Sequence, residues 1–229
     1  MRAARFVLAL ALASASVVAC SSSDVVGDER AEQARTAALD AGLDEGVADF
    51  LALAARGQTA TYQATYPGPD EGTDLVVANR PPDRRVDVVA DEVIVQVQLS
   101  LDGESFRCSR DPEVDAIDEC ERTDAIVEAP GTFGDAAMAT LTESLTERLE
   151  DFEFELQTSP IAGVEAQCLV TRVREGKERP ELADGGTMCV SPEGVLLRVA
   201  QGDELLEATD YSTEIADNTF VRPDADDDN

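Results

Sequence analysis

Apolar and polar residues along this chain repeat with two different periods, and each period predicts a different element. Leu43, Val47, Phe50, Leu51 and Ala54 recur at helical spacing, and Gly57 stands where a helix should stop, so a helical stretch of roughly 20 residues is expected before it. Residues 135–150 carry a second stripe, Met138, Leu141, Leu145 and Leu149, with Glu143 and Glu147 on the opposite side. Elsewhere the period is two. Ala60, Tyr62, Ala64 and Tyr66 share one face of ATYQATY, and residues 72–78 and 85–90 flank the turn-like RPPD. The clearest strand covers residues 92–101, where Val93, Val95, Val97, Leu99 and Leu101 point one way and Ile94, Gln96, Gln98 and Ser100 the other. Further strands are expected near residues 152–156, 166–173, 187–190, 194–199 and 205–211, the last three joined by tight turns at 192–194 and 201–204. Strands with one apolar face need a covering layer, and two one-sided helices are available to supply it. The expected fold class is α+β, a curved antiparallel sheet with helices packed in its concave face.

The first residues follow neither period. Arg2 and Arg5 precede an apolar run over residues 6–13, then small residues up to Ala19: the three-part pattern of a secretory signal peptide. Val17-Val18-Ala19-Cys20 resembles the lipobox of bacterial lipoproteins, with Val17 where Leu is commoner. The resemblance implies removal of residues 1–19 and a diacylglyceryl group on Cys20, the new N-terminus. An ordinary signal peptide that happens to contain a cysteine is the plainer alternative. The apolar run is too short to span a bilayer. The chain is therefore expected to be exported and lipid-anchored on the extracytoplasmic face of the membrane. Residues 20–40 would form the anchored N-terminus and a flexible tether, since SSSDVVGDERA is small and polar. Residues 41–222 read as one domain, and residues 223–229 as a solvated acidic tail.

Charge narrows the partners. The chain has 48 Asp and Glu against 18 Lys and Arg, a formal charge of −30, and losing Arg2 and Arg5 would leave 16 basic residues and −32. Such a surface repels phosphate backbones and anionic head groups, which argues against nucleic acid and leaves membrane attachment to the acyl anchor. The chain has no His, which removes Ser-His-Asp and Cys-His catalysis and His-ligated metals. Its single Lys, Lys177, sits in the loop-like REGKERPE, a poor setting for a Schiff base, which needs a desolvated amine. The reading is of a non-enzyme without cofactor or metal. The carboxylates of DPEVDAIDE (Asp111, Glu113, Asp115, Asp118, Glu119) lack the glycine-containing spacing of an EF-hand and read as a solvated loop.

Four cysteines follow Cys20, and outside the cytoplasm an even count reads as disulfides. Cys168 and Cys189 lie in two β-type runs joined by a polar stretch and should face each other across a hairpin. Cys108 and Cys120 bracket a polar loop with Pro112 and would close it. A four-thiolate zinc site would want closer pairs than either of these.

TYQATY after a helix, the RPPDRRVDV hairpin and the closing CLVTRV…GTMCV…EGVLLRV…LLEATDYS meander resemble actinobacterial cell-envelope lipoproteins of the LolA/LprG-like superfamily of lipid and lipoprotein carriers, over about residues 45–222. The resemblance implies a half-barrel of roughly eleven antiparallel strands around an apolar cavity, closed on one side by helices and loops. It also implies acyl chains, lipids or lipidated partners as cargo, and no catalysis. The candidate wall positions are Tyr62, Tyr66, Val95, Val97, Leu141 and Leu145, each of which also reads as ordinary core. The alternative is a non-catalytic sensor or protein-interaction lipoprotein of the same fold whose interior is filled. Neither reading names the protein partner.

Overall fold

Ala, Glu, Gln and Arg, all strong helix formers, dominate the stretch that precedes the first apolar stripe, and residues Ser23–Asp40 are a helix, α1. The computed structural model describes residues 23–111, 116–124, 130–177 and 185–223. The expected signal peptide (residues 1–19), Cys20, Glu113, Asp115 and the expected acidic tail over 224–229 lie outside the described residues. The expected tether is thus helical from Ser23 onward. Its buried seam is Gly27, Ala31 and Ala38, three small residues that make no hydrophobic stripe in the sequence.

The chain turns at Ala41 and Gly42 and enters α2 (Glu45–Arg56), so the single helical stretch expected before Gly57 is two helices. Asp44 caps α2 by accepting from the Val47 amide at 3.0 Å, with Glu45 in its first turn and Arg56 in its last, as the helix dipole favours. Ion pairs Arg35–Asp49 (2.7 Å) and Arg56–Asp28 (3.0 Å) tie the two helices into an antiparallel hairpin. The pairs are exposed and contribute little; the buried face of Val47, Ala48, Phe50, Leu51, Ala54 and Ala55 holds α2 in place.

Twelve strands follow among the described residues, all paired antiparallel. They are β1 (Tyr62–Pro67), β2 (Thr73–Arg80), β3 (Asp83–Ala90), β4 (Val93–Leu101), β5 (Glu104–Asp111), β6 (Ala116–Arg122), β7 (Phe152–Ile161), β8 (Val164–Val173), β9 (Gly186–Val190), β10 (Leu196–Gln201), β11 (Glu204–Glu207) and β12 (Asp210–Ser212). Helix α3 (Asp135–Glu147) lies between β6 and β7 and ends three residues before the expected 150. The strands form two sheets: seven strands in the order β12-β1-β2-β3-β4-β5-β6, and five in the order β11-β10-β9-β8-β7. The fold is α+β: the described residues form two antiparallel sheets and three α-helices, and among them the strands close into no barrel.

Three differences from the expected strands matter. The polar loop expected between Cys108 and Cys120 is the β5–β6 hairpin, with the two cysteines directly opposite each other. β7 runs on to Ile161 as a sheet edge, its middle residues Glu155, Leu156, Gln157 and Thr158 exposed. The strand expected over 205–211 breaks at Ala208, whose amide bonds to Leu197 O, while the Thr209 amide bonds to Thr65 O. Residues before the break belong to the five-stranded sheet and residues after it to the seven-stranded one.

The five-stranded sheet is covered on both faces. On one side Leu169, Met188, Val190 and Leu196 pack with α1, α2 and α3. On the other Ala166, Cys168, Cys189 and Leu197 pack with Tyr62, Ala64, Tyr66, Val77 and Val86 of β1–β3. Both disulfides join directly opposed residues of neighbouring strands: Cys168–Cys189 inside this inter-sheet core and Cys108–Cys120 on β5–β6. Each contributes about 3 kcal/mol by the loop-entropy argument.

Register shows that β4 turns its apolar face the other way. Tyr66 pairs with Leu75, Leu75 with Val88 and Val88 with Gln96, so the face carrying Tyr66 continues onto Gln96, and Val97 lies on the opposite face. That opposite face holds a separate cluster, Val97, Leu99 and Cys108. The C-terminal segment lies over it: Arg85 donates to Thr219 O at 2.9 Å, Arg80 stacks on Phe220 at 4.5 Å, and Arg222 stacks on Phe106 at 4.6 Å. Beneath this segment Arg85 grips Asp87 through both carboxylate oxygens at 2.7 and 2.9 Å; burial still pushes the Asp87 carboxyl above its ordinary value.

Candidate functional site

Helix α3 is weakly built for its length. Gly134 offers it no side-chain cap, and the hydroxyls of Thr140, Thr142 and Thr146 each bond back to the carbonyl four residues earlier, a habit that slightly loosens helices. Only Met138 and Leu145 on it are buried. Its first turn is held by a small polar network: Arg30 of α1 donates to Asp135 at 2.5 Å and to the side-chain oxygen of Gln58, and the Gln58 amide donates to the Phe133 carbonyl.

On either side of α3 there is open volume. Between α3 and the five-stranded sheet lies a half-open, largely apolar chamber of about 260 Å³, with Leu141 and Leu145 on its α3 side, Phe152, Phe154, Leu169 and Met188 on its sheet side, and Thr171, Thr187 and Gln201 as polar lining. Arg148 stands at its rim, with its guanidinium over the Phe152 ring at 5.6 Å. On the far side of α3, facing α1, lies a groove of about 580 Å³. Met138, Thr142 and Thr146 line the groove, Leu141, Ser144 and Leu145 the chamber, so α3 is their common wall.

The six candidate wall positions fall into three compartments. Leu141 and Leu145 line the chamber. Tyr62 and Tyr66, both fully buried, belong to the inter-sheet core on the far side of the five-stranded sheet. Val97 is packed under the C-terminal segment, and Val95 is half-buried beside it, where the pairing of β3 with β4 shifts register. One cavity walled by all six therefore does not form. The sheet-side residues Phe152, Phe154, Leu169 and Met188 were missed. The unbroken apolar run Cys168-Leu169-Val170 signals them, because a strand covered on both faces loses its alternation.

The inter-sheet core holds all three tyrosines of the chain. Tyr66 donates to Leu196 O at 2.6 Å; Tyr211 donates to Glu193 at 2.6 Å, lies 3.1 Å from the Ser191 hydroxyl and stacks on Tyr62 at 6.4 Å. The Tyr62 hydroxyl is buried against Gly131 with the Thr132 side chain as a polar neighbour, and desolvation pushes its pKa up to about 12. Burial likewise raises Tyr66 and Tyr211. These groups are protonated packing elements at neutral pH, with none of the activation a nucleophile or base requires.

No protein-family model matches the chain, and no curated protein matches it either. Among the described residues no helix is long and apolar enough to cross a membrane, and no group of three or more His, Cys, Asp or Glu is placed to hold a metal ion.

Proposed function

We propose that this protein is a lipid-anchored extracytoplasmic binding protein of the LolA/LprG-like kind, its two sheets forming an incomplete barrel, that receives acyl chains between α3 and the five-stranded sheet. The observation that carries the reading is the largely apolar chamber under Leu141 and Leu145 with Arg148 at its rim, the one cation that lines it among the described residues. Such a site buries a hydrocarbon chain and leaves an anionic head at the guanidinium. The chamber is at the small end for a ligand pocket, so it takes the end of a chain, and outward movement of the loosely held α3 admits more.

Fluorescent fatty-acid titration tests this. Leu141→Trp fills the chamber and is expected to weaken binding at least about tenfold, or about 1.4 kcal/mol, at unchanged thermal stability. Val97→Trp overpacks a different compartment, and is expected to cost about 1–3 kcal/mol of stability while leaving binding intact. If wild type binds no fatty acid and Leu141→Trp destabilises as Val97→Trp does, the chamber is only a packing void. The filled inter-sheet core, with Tyr62 and Tyr66 at 0% exposure, favours the second reading in that event: a sensor or protein-interaction lipoprotein of the same architecture.

The anchor rests on Val17-Val18-Ala19-Cys20 after an apolar run. Cys20→Ala is expected to release the protein from membranes and to abolish incorporation of labelled fatty acid; a variant that still sediments with membranes, beside a wild type that takes up no label, sinks it.

A further inference from the structure

We propose that the groove between α1 and α3 docks a basic amphipathic helix of a partner protein. The groove lies on the side of α3 away from the acyl chamber and holds about 580 Å³. Its floor is Met138 and Ala55, both buried; its walls are the alanines Ala34, Ala37, Ala41 and Ala139, interspersed with the polar Gln33, Gln58, Thr142 and Thr146. Alanine side chains are too short to fill the space between two helices, so the trough stays open along α1 from Arg30 to Ala41, about 17 Å at 1.5 Å per residue. That is three turns of a third helix, whose residues at i, i+3/i+4 and i+7 would enter it.

Charge selects the occupant. Arg30, the one basic residue lining the groove among the described residues, is matched by Asp135 at 2.5 Å, which leaves Glu143 and Glu147, both exposed and one turn apart on α3, to set the sign of the rim. An acidic rim on a chain of net charge −30 repels anionic lipid head groups, and it repels a second copy of this chain equally. A helix with an apolar stripe flanked by Lys or Arg satisfies both the alanine walls and the rim.

The test uses the purified full chain and a labelled Leu/Lys peptide of about 14 residues with Leu at helical spacing, read by fluorescence anisotropy at low salt. Two control peptides accompany it: the same composition in scrambled order, and a Leu/Glu helix of opposite charge. Wild type is expected to bind the Leu/Lys helix at least tenfold more tightly than either control. Ala139→Trp, which fills the trough from an exposed position, and the double variant Glu143→Lys/Glu147→Lys, which reverses the rim, are each expected to weaken it at least tenfold. Equal binding of the scrambled peptide shows adsorption by charge alone and overturns the proposal. Equal binding of the Leu/Glu helix, or unchanged affinity in the two variants, overturns it as well. Should Ala139→Trp fail to fold by circular dichroism, the rim variant decides. Fatty-acid binding is read on the other face of α3, so this proposal and the acyl-chain reading fail separately.

Discussion

Gly194→Ala is expected to destabilise the fold by about 3–5 kcal/mol, as left-handed strain and a backbone overlap add together. Gly194 closes the Ser191-Pro192-Glu193-Gly194 turn between β9 and β10 at φ +87°, and this turn rests directly on the end of α2. A Cβ there would overlap the Leu53 carbonyl oxygen and sit 2.8 Å from the Gly57 amide nitrogen. Neither atom can swing aside, because both belong to backbone at the end of α2. The turn itself is equally fixed. Ser191 Oγ accepts from the amides of Glu193 and Val195, each at 3.2 Å, and the Gly194 amide donates to Ser191 O at 2.9 Å. Gly202 is the control: its φ is also positive, at +58°, but a Cβ there meets nothing within 4 Å. Gly202→Ala should therefore cost only about 1 kcal/mol. Denaturant unfolding of the two variants decides the matter, and equal losses would mean that the turn does not press on α2.

Alkaline titration is expected to unfold the protein from about pH 10 upward, with tyrosinate appearing together with the loss of structure. Tyr62, Tyr66 and Tyr211 all titrate above the ordinary phenol value because burial disfavours the phenolate. Between the unfolded value of 10.0 and the folded value of about 12 for Tyr62, the folded chain holds more protons than the unfolded chain. Stability is then fully present below pH 10 and falls as pH rises through the folded pKa. At pH 12 Tyr62 alone removes about 2 kcal/mol, and the other two act in the same direction. With no Trp in the chain, tyrosinate absorbance reads these three groups directly, beside far-ultraviolet circular dichroism. Phenols that ionise near pH 10 while the dichroism stays native would show that the inter-sheet core is wet.

Only the α3 side of the candidate site could be read from residue order alone. The stripe on α3 pointed to Leu141 and Leu145, which do line the chamber. The alternation in ATYQATY put Tyr62 and Tyr66 on one buried face, and that face is buried. Placing these residues and Val97 around one interior was the error. Alternation says which side chains of a strand point together, and it is silent on what stands opposite them. Helix α1 was hidden for another reason: its contact seam is glycine and alanine, which periodicity cannot tell from a small-residue tether. The β5–β6 hairpin was hidden by its charge, since an edge strand can carry Asp, Glu and Arg along its length.

By itself the sequence determined most of the local elements and the two cross-strand cysteine pairs. It was sufficient for the apolar stripes of α2 and α3, the stop of α2 at Gly57, the turns at 192–194 and 201–204, and the two cysteine pairs, because each depends on residues within one helix or one pair of adjacent strands. Only the tertiary structure decided how those elements are layered. One apparent strand divides between two sheets at Ala208, whose amide bonds to Leu197 O, while the next amide, of Thr209, bonds to Thr65 O more than a hundred residues away. The five-stranded sheet is covered on both faces, and the C-terminal segment takes the face of β4 that the helices were expected to cover. Such choices rest on hydrogen bonds and burial between segments far apart in the chain, where any apolar face satisfies any other and only the sum over the whole molecule selects the partners.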